Sequence, residues 1–237
     1  LGSAFYDAWR DFSNNEAYPK AQELRKQETE HKPAKFRVLP AESALPAEGV
    51  LDHERASWIA RQARKIAIAQ CPCRRRERRC DTERRTCMFF DELADYGIAH
   101  GAAEAIELDE ALAILEWASR QGLVHDTENI PHPRVICNCC PDCCAFLRPV
   151  VAYGFDLPVE TSRYQARLDE SRCTGCGACI ERCNFGALKS GDGHPLLHSD
   201  KCIGCGLCAV ACPEGALGLE ITREVSFSET GAQLGSF

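Results

Sequence analysis

The sequence predicts an α+β protein organised around cysteine. Cysteine occupies 17 of 237 positions, and eight of them form two copies of one pattern, offset by 29 residues at every cysteine. Upstream, apolar residues recur at helical spacing over 52–69 and 108–120, and two short apolar runs flank a proline-containing turn between 123 and 136. The expected architecture is therefore a C-terminal pseudo-twofold unit of short hairpins and helices. A mostly helical, cysteine-rich domain with a winged-helix-like layout precedes it.

Composition narrows the function. The formal net charge is −7 and the isoelectric point is near 5.6, which argues against general nucleic-acid or membrane affinity. No apolar run approaches the roughly 18–20 residues of a membrane span. Leu1 to Arg10 shows no basic stretch followed by an apolar core, so no secretory signal is expected. The cysteines are odd in number and bunched at two- and three-residue steps in a long chain. That pattern suits metal ligation in a reducing, cytoplasmic setting better than a disulfide framework.

Residues 1–50 read as an extended arm that wraps a partner or stays solvated. The arm has a helical patch near Ala17–Thr29, an extended piece at Lys35–Leu39, and Phe5, Tyr6, Trp9 and Phe12 at helical spacing. Residues 51–145 read as the cysteine-rich domain. Its elements are an amphipathic helix over 52–69, a helical stretch over Phe89–His100, a helix over Leu108–Arg120 stopped by Gly122, and a hairpin pairing Leu123–His125 with Arg134–Ile136. Helix, helix, hairpin is the winged-helix order. The third helix carries Glu107, Asp109, Glu110 and Glu116 against Arg120, which is the wrong charge for phosphate. Residues 146–165 read as a linker, 166–222 as the duplicated unit and 223–237 as a tail.

The duplicated unit reads Cys173-Thr-Gly-Cys176-Gly-Ala-Cys179-Ile-Glu-Arg-Cys183, then Cys202-Ile-Gly-Cys205-Gly-Leu-Cys208-Ala-Val-Ala-Cys212. Gly175/Gly204, Gly177/Gly206 and Gly186/Gly215 repeat with it, the mark of an internal duplication. Three cysteines at i, i+3 and i+6 on a tight loop can each reach one iron of a cube, and the glycines let the backbone curl close. The fourth cysteine is expected to start a helix facing away and so to ligate the other cube. One cluster is thus assigned to Cys173, Cys176, Cys179 and Cys212, and the other to Cys202, Cys205, Cys208 and Cys183. Over residues 166–222 the chain resembles the bacterial two-cluster ferredoxins. The resemblance implies two [4Fe–4S] clusters, a pseudo-twofold fold and one-electron transfer. Asn184 departs from it, standing where that family usually has proline.

Nine cysteines remain, in two groups: Cys71, Cys73, Cys80 and Cys87, then Cys137, Cys139, Cys140, Cys143 and Cys144. Each group opens with C-x-C after a strand-like run. One or two further Fe–S clusters, a structural zinc site, and a special cluster or thiol site performing chemistry are the open alternatives. With Cys71–Arg74, Gly122–His125 and Cys137–Cys140, the chain resembles a broader group of dicluster-ferredoxin proteins with C-x-C-R and C-N-C-C segments, anaerobic redox proteins of no settled activity. Five arginines between Arg74 and Arg79 read as compensation for a thiolate-bound cluster, as a docking loop for an acidic partner, as a nucleic-acid contact or as a solvated loop. His125 and His132 flank the second group as further candidates. No phosphate loop, dinucleotide fingerprint or haem-attachment motif occurs.

These readings converge on an iron–sulfur electron-transfer subunit of a hetero-oligomeric redox complex, without a catalytic residue of its own. The alternatives are a catalytic reductase fed by the C-terminal unit, and a redox-sensing regulator.

Overall fold

The computed structural model describes residues 34–154 and 159–224. The helical patch at 17–29, the four aromatic residues before it and the tail beyond 224 lie outside them. Ten strands are described: β1 (Phe36–Leu39), β2 (Ile66–Gln70), β3 (Arg85–Phe90), β4 (Ala103–Ile106), β5 (Val124–Glu128), β6 (Val135–Cys139), β7 (Tyr164–Leu168), β8 (Leu188–Ser190), β9 (Pro195–Leu197) and β10 (Leu217–Ile221). Seven α-helices join them: α1 (Ala56–Gln62), α2 (Pro72–Glu77), α3 (Asp91–Ala99), α4 (Leu108–Arg120), α5 (Leu147–Tyr153), α6 (Ala178–Arg182) and α7 (Leu207–Ala211).

The N-terminal half is built on an antiparallel six-stranded sheet in the order β1-β5-β6-β3-β2-β4. This replaces the mostly helical, winged-helix-like layout. The expected helix over 52–69 is a 3₁₀ turn at Asp52–Glu54, then α1, then β2. Ile66 to Ala69 are all buried between β3 and β4, so they pair as a two-sided strand although their spacing also fits a helix. Phe89 and Phe90 likewise end β3, and α3 begins only at Asp91. The helix over Leu108–Arg120 has the expected bounds, and the expected hairpin is β5–β6, longer than the sequence suggested. β5 reads Val-His-Asp-Thr-Glu, too polar to be taken as a strand, yet all five residues are buried. The piece at Lys35–Leu39, expected within an arm, is β1 on the sheet edge, and α5 lies in the expected linker.

Strand alternation divides the sheet chemically. One face carries Leu39, Ile66, Ile68, Met88, Phe90 and Ile136 and packs on α1 and α4. Register places Val38, Asp126 and Cys137 side by side on the opposite face, with Val124 beside Cys139. That face meets the C-terminal half in one continuous core, in which Val38, Val124, Cys139 and Cys144 pack with Tyr164, Ile203, Leu207 and Leu219.

In the C-terminal half the 29-residue repeat is visible in the backbone. α6 and α7 occupy equivalent positions, each preceded by a left-handed glycine, Gly177 (φ 78°) and Gly206 (φ 75°). At Gly206 a side chain would meet the Ala44 Cβ at 2.8 Å, so glycine also permits the close approach of the two halves. Cys183 and Cys212 cap the C-termini of α6 and α7 instead of starting helices, because the chain turns there toward Gly186 and Gly215 (φ 64° and 57°) before β8 and β10.

The halves are also clamped by a buried ion pair. Glu54 receives Arg163 Nη2 at 2.8 Å, Tyr164 Oη at 2.6 Å and the Leu51 N–H at 2.7 Å. Burial alone would raise the Glu54 pKa, but these hydrogen bonds outweigh it and hold the carboxyl below its ordinary value. The resulting stabilisation is complete above the usual glutamate range and is lost as pH falls through the folded-state value. Glu54→Gln leaves Arg163 without its counter-charge and is expected to cost about 3 kcal/mol at neutral pH. Its stability should also decline less toward acid than that of the parent chain, as followed by thermal unfolding across pH.

Candidate metal centre

Two cavities in the C-terminal half gather the repeated cysteines. One is lined by Cys173, Cys176, Cys179 and Cys212, and the other by Cys183, Cys202, Cys205 and Cys208. Each thus takes three cysteines from one copy of the motif and the fourth from the other. The crossing follows from the caps: α6 and α7 pack together and deliver Cys183 and Cys212 to each other's loop. Burial, followed by repulsion among neighbouring sulfurs, pushes the Cys205 thiol up to about 12. A buried thiol of this kind becomes a ligand by losing its proton to a metal.

The nine upstream cysteines divide into six and three, which their grouping in sequence does not suggest. Cys137 and Cys139, two apart on β6, point to the same face. Cys87 joins them from β3, Cys71 and Cys73 from the start of α2, and Cys144 from the turn before α5. Their sulfurs contact in series: Cys73 with Cys71, Cys71 with Cys87, Cys87 with Cys137, Cys137 with Cys139, and Cys139 with Cys144. Hydrogen bonds from neighbouring thiols pull Cys71 and Cys137 well down, and the same bonds push Cys73, Cys87 and Cys139 up. Asp126 lies in the same group, its carboxylate within 4.8 Å of the Cys139 and Cys144 sulfurs. It is fully buried, and apart from the Cys139 thiol neither oxygen has a hydrogen-bond partner among the described residues. The remaining three, Cys80, Cys140 and Cys143, form a separate cluster with Trp117, Ala118 and Leu123.

Arg74 stands between the two thiol groups. Of the five arginines in the basic segment, it alone is buried, at 1% exposure, while Arg75, Arg78 and Arg79 are exposed. Proline at the first position of α2 starts a helix where the sequence suggested a loop, and this turns Arg74 inward. Its guanidinium donates to the Glu83 carbonyl and Thr86 Oγ1, both at 2.7 Å, and to the Asn138 carbonyl. It also reaches the Cys140 sulfur and feels Cys71 and Cys139. Of the segment's charge, only that of Arg74, on α2, is buried.

The histidines hold the scaffold. His125 is buried, with Nδ1 at 2.6 Å from Asn138 Oδ1 and Nε2 at 2.7 Å from Ser119 Oγ. Burial pushes its pKa down, so the neutral ring donates from Nδ1 and accepts the Ser119 hydroxyl at Nε2. Both nitrogens are occupied, which removes His125 from the candidate ligands. His132 is exposed. Asp126, Asn138 and the singular position of Arg74 were not legible as site residues. The C-x-C spacing on a strand was the one signal that pointed to the face Asp126 occupies.

Residues 166–219 match the family model described as a 4Fe-4S dicluster domain. No curated protein matches the chain. The match coincides with the two four-cysteine cavities and supports a ferredoxin-type iron–sulfur region there. Among the described residues, no helix is long and apolar enough to cross a membrane.

Arg74→Lys keeps the charge but loses the fork that serves three acceptors. It is expected to destabilise the metal-free chain by about 2 kcal/mol, as measured by urea unfolding.

Proposed function

We propose that the chain passes single electrons through two [4Fe–4S] clusters in its C-terminal half, and through a further iron–sulfur cluster at the six-thiol group, to or from a catalytic partner in a redox complex. The observation that carries this reading is the shared core. Cys139 and Cys144 of the upstream group pack in the same cluster as Ile203 and Leu207, with Cys137 and Cys205 against it. The sulfur groups are thereby neighbours across dry, apolar packing, as electron carriers in series require.

The donor sets fit. Cys173, Cys176, Cys179 and Cys212 would hold one cluster, and Cys202, Cys205, Cys208 and Cys183 the other. Such clusters supply one-electron chemistry at potentials set by hydrogen bonds, charge and exposure. The chain controls those settings. The Ala216 N–H lies 3.2 Å from the Cys212 sulfur. Cys176 is exposed whereas Cys205 sits behind apolar side chains, so the two centres differ in access to solvent and partner. The upstream centre would draw on Cys71, Cys73, Cys87, Cys137, Cys139 and Cys144, with Arg74 offsetting thiolate charge. We propose the division at about residue 160 into a sheet domain and a ferredoxin-type domain.

A reductive catalyst at the six-thiol group is the second reading, and Asp126 favours it. A buried carboxyl beside two ligand sulfurs is placed to exchange a proton with anything bound there.

Iron and acid-labile sulfide per chain, measured on protein purified without oxygen, test the proposal. About twelve irons are expected, four per cube; about eight would remove the upstream cluster. Cys176→Ala should lower iron by about four and leave the second C-terminal cluster's reduced-state spectrum in place. Unchanged iron would refute the ligand assignment. Turnover of a small substrate by the pure chain, abolished in Asp126→Asn, would decide for the catalytic reading.

A further inference from the structure

The three cysteines outside the six-thiol group are spaced for a different kind of metal. The Cys80 sulfur lies 3.6 Å from Cys140 and 3.7 Å from Cys143, and all three lie within 4.8 Å of one another. Thiolates on one tetrahedral ion with metal–sulfur bonds of about 2.3 Å stand about 3.8 Å apart. A cube holds each ligand sulfur on a different iron and keeps the sulfurs much farther apart. The chain provides its own comparison, because no three of the eight C-terminal cysteine sulfurs gather within 4.8 Å among the described residues.

Sequence and surroundings agree with a single ion. Cys140-Pro-Asp-Cys143 is a C-x2-C pair on a tight turn, and Cys80 arrives from the distant loop between α2 and β3. This is the arrangement of a zinc knuckle with one remote ligand. Each sulfur accepts a backbone N–H: Cys80 from Thr82, Cys140 from Cys143 and Cys143 from Arg79. The Thr82 hydroxyl and the Arg74 guanidinium add bonds to Cys80 and Cys140. Such bonds orient thiolates and spread their charge. A divalent cation with three thiolates carries net −1, and Arg74 is the adjacent positive charge.

Among the described residues, no fourth cysteine and no histidine or carboxylate joins the three sulfurs within that distance. Cys140 and Thr82 instead line a cleft of about 490 Å³ whose far wall is Ala178, Glu181 and Arg182 of α6. The geometry points to a mononuclear site in which Cys80, Cys140 and Cys143 hold one zinc ion as thiolates, releasing three protons, while the fourth position opens to the cleft and takes water or an incoming thiol. Three protein ligands with one open position is the pattern of a reactive zinc, not of a structural one. The site stands apart from the electron path, since zinc has no redox step to offer.

The test uses the full chain, purified without oxygen and dialysed against zinc, with metal analysis and X-ray absorption at the zinc edge. About one zinc per chain is expected, with three sulfurs at about 2.3 Å and one light atom. Added 2-mercaptoethanol should replace the light atom with a fourth sulfur. Cys143→Ser and Cys80→Ser should reduce zinc to below about a tenth of the parent value with iron unchanged, the retained iron also showing that the variants fold. Zinc absent from the parent chain, four sulfurs before any thiol is added, no response to 2-mercaptoethanol, or a variant that loses iron and keeps its zinc would each overturn the inference. Iron content alone decides the electron-transfer proposal, so the two fail separately.

Discussion

Sulfur atoms packed against one another inside a protein cannot all ionise, and the upstream half of this chain gathers nine cysteines from two strands, a helix start, a loop and a turn. Contact between thiols stabilises a thiolate only while its neighbour keeps a proton, which is why Cys71 and Cys137 fall in pKa while Cys73, Cys87 and Cys139 rise. Full ionisation needs positive charge from elsewhere. Arg74 supplies one unit from α2, and a metal bound there would supply more. The fold around this group makes sense as a means of holding it. The hydrogen-bonded line Ser119–His125–Asn138 anchors β6 from the far face of the sheet, so that Cys137 and Cys139 present from the near face with fixed register.

What could be read from sequence was what depends on local spacing. The spacing of the eight repeated cysteines suggested two sets of four, and four of them line each of two cavities. α4 was legible to the residue because one helical face alone is buried. β2 was misread because Ile66–Ala69 is buried on both sides, where apolar spacing loses its period. β5 was cut short because its polar residues find their partners only across the folded hairpin: His125 with Asn138, Thr127 with the Val135 carbonyl, Glu128 with Arg134. Arg74 was one of five arginines until α2 turned it inward.

The shared core ties the two halves into one functional object. A ferredoxin-type unit needs only its own residues to bind clusters, yet here the Ala41 N–H donates to the Cys205 carbonyl at 2.8 Å. The loop that holds one predicted cluster is therefore fixed by the N-terminal half. Any shift of β1 would move the loop's backbone, and with it the hydrogen bonds that set a cluster's potential.

The adjacent residues Cys139 and Cys140 belong to two different sulfur groups. Cys139 is the last residue of β6 and points with Cys137 into the six-thiol group, whereas Cys140 begins the turn and joins Cys80 and Cys143. Strand and turn send neighbouring side chains in different directions, so no peptide segment has to separate the sites. The Arg74 guanidinium lies between them, in contact with Cys140 and within reach of the charge on Cys71 and Cys139. A change of charge at one site is thus felt at the other through a single cation. Separation by strand geometry and coupling through Arg74 are both built into four consecutive positions, Cys137 to Cys140, and a one-residue insertion there would abolish both.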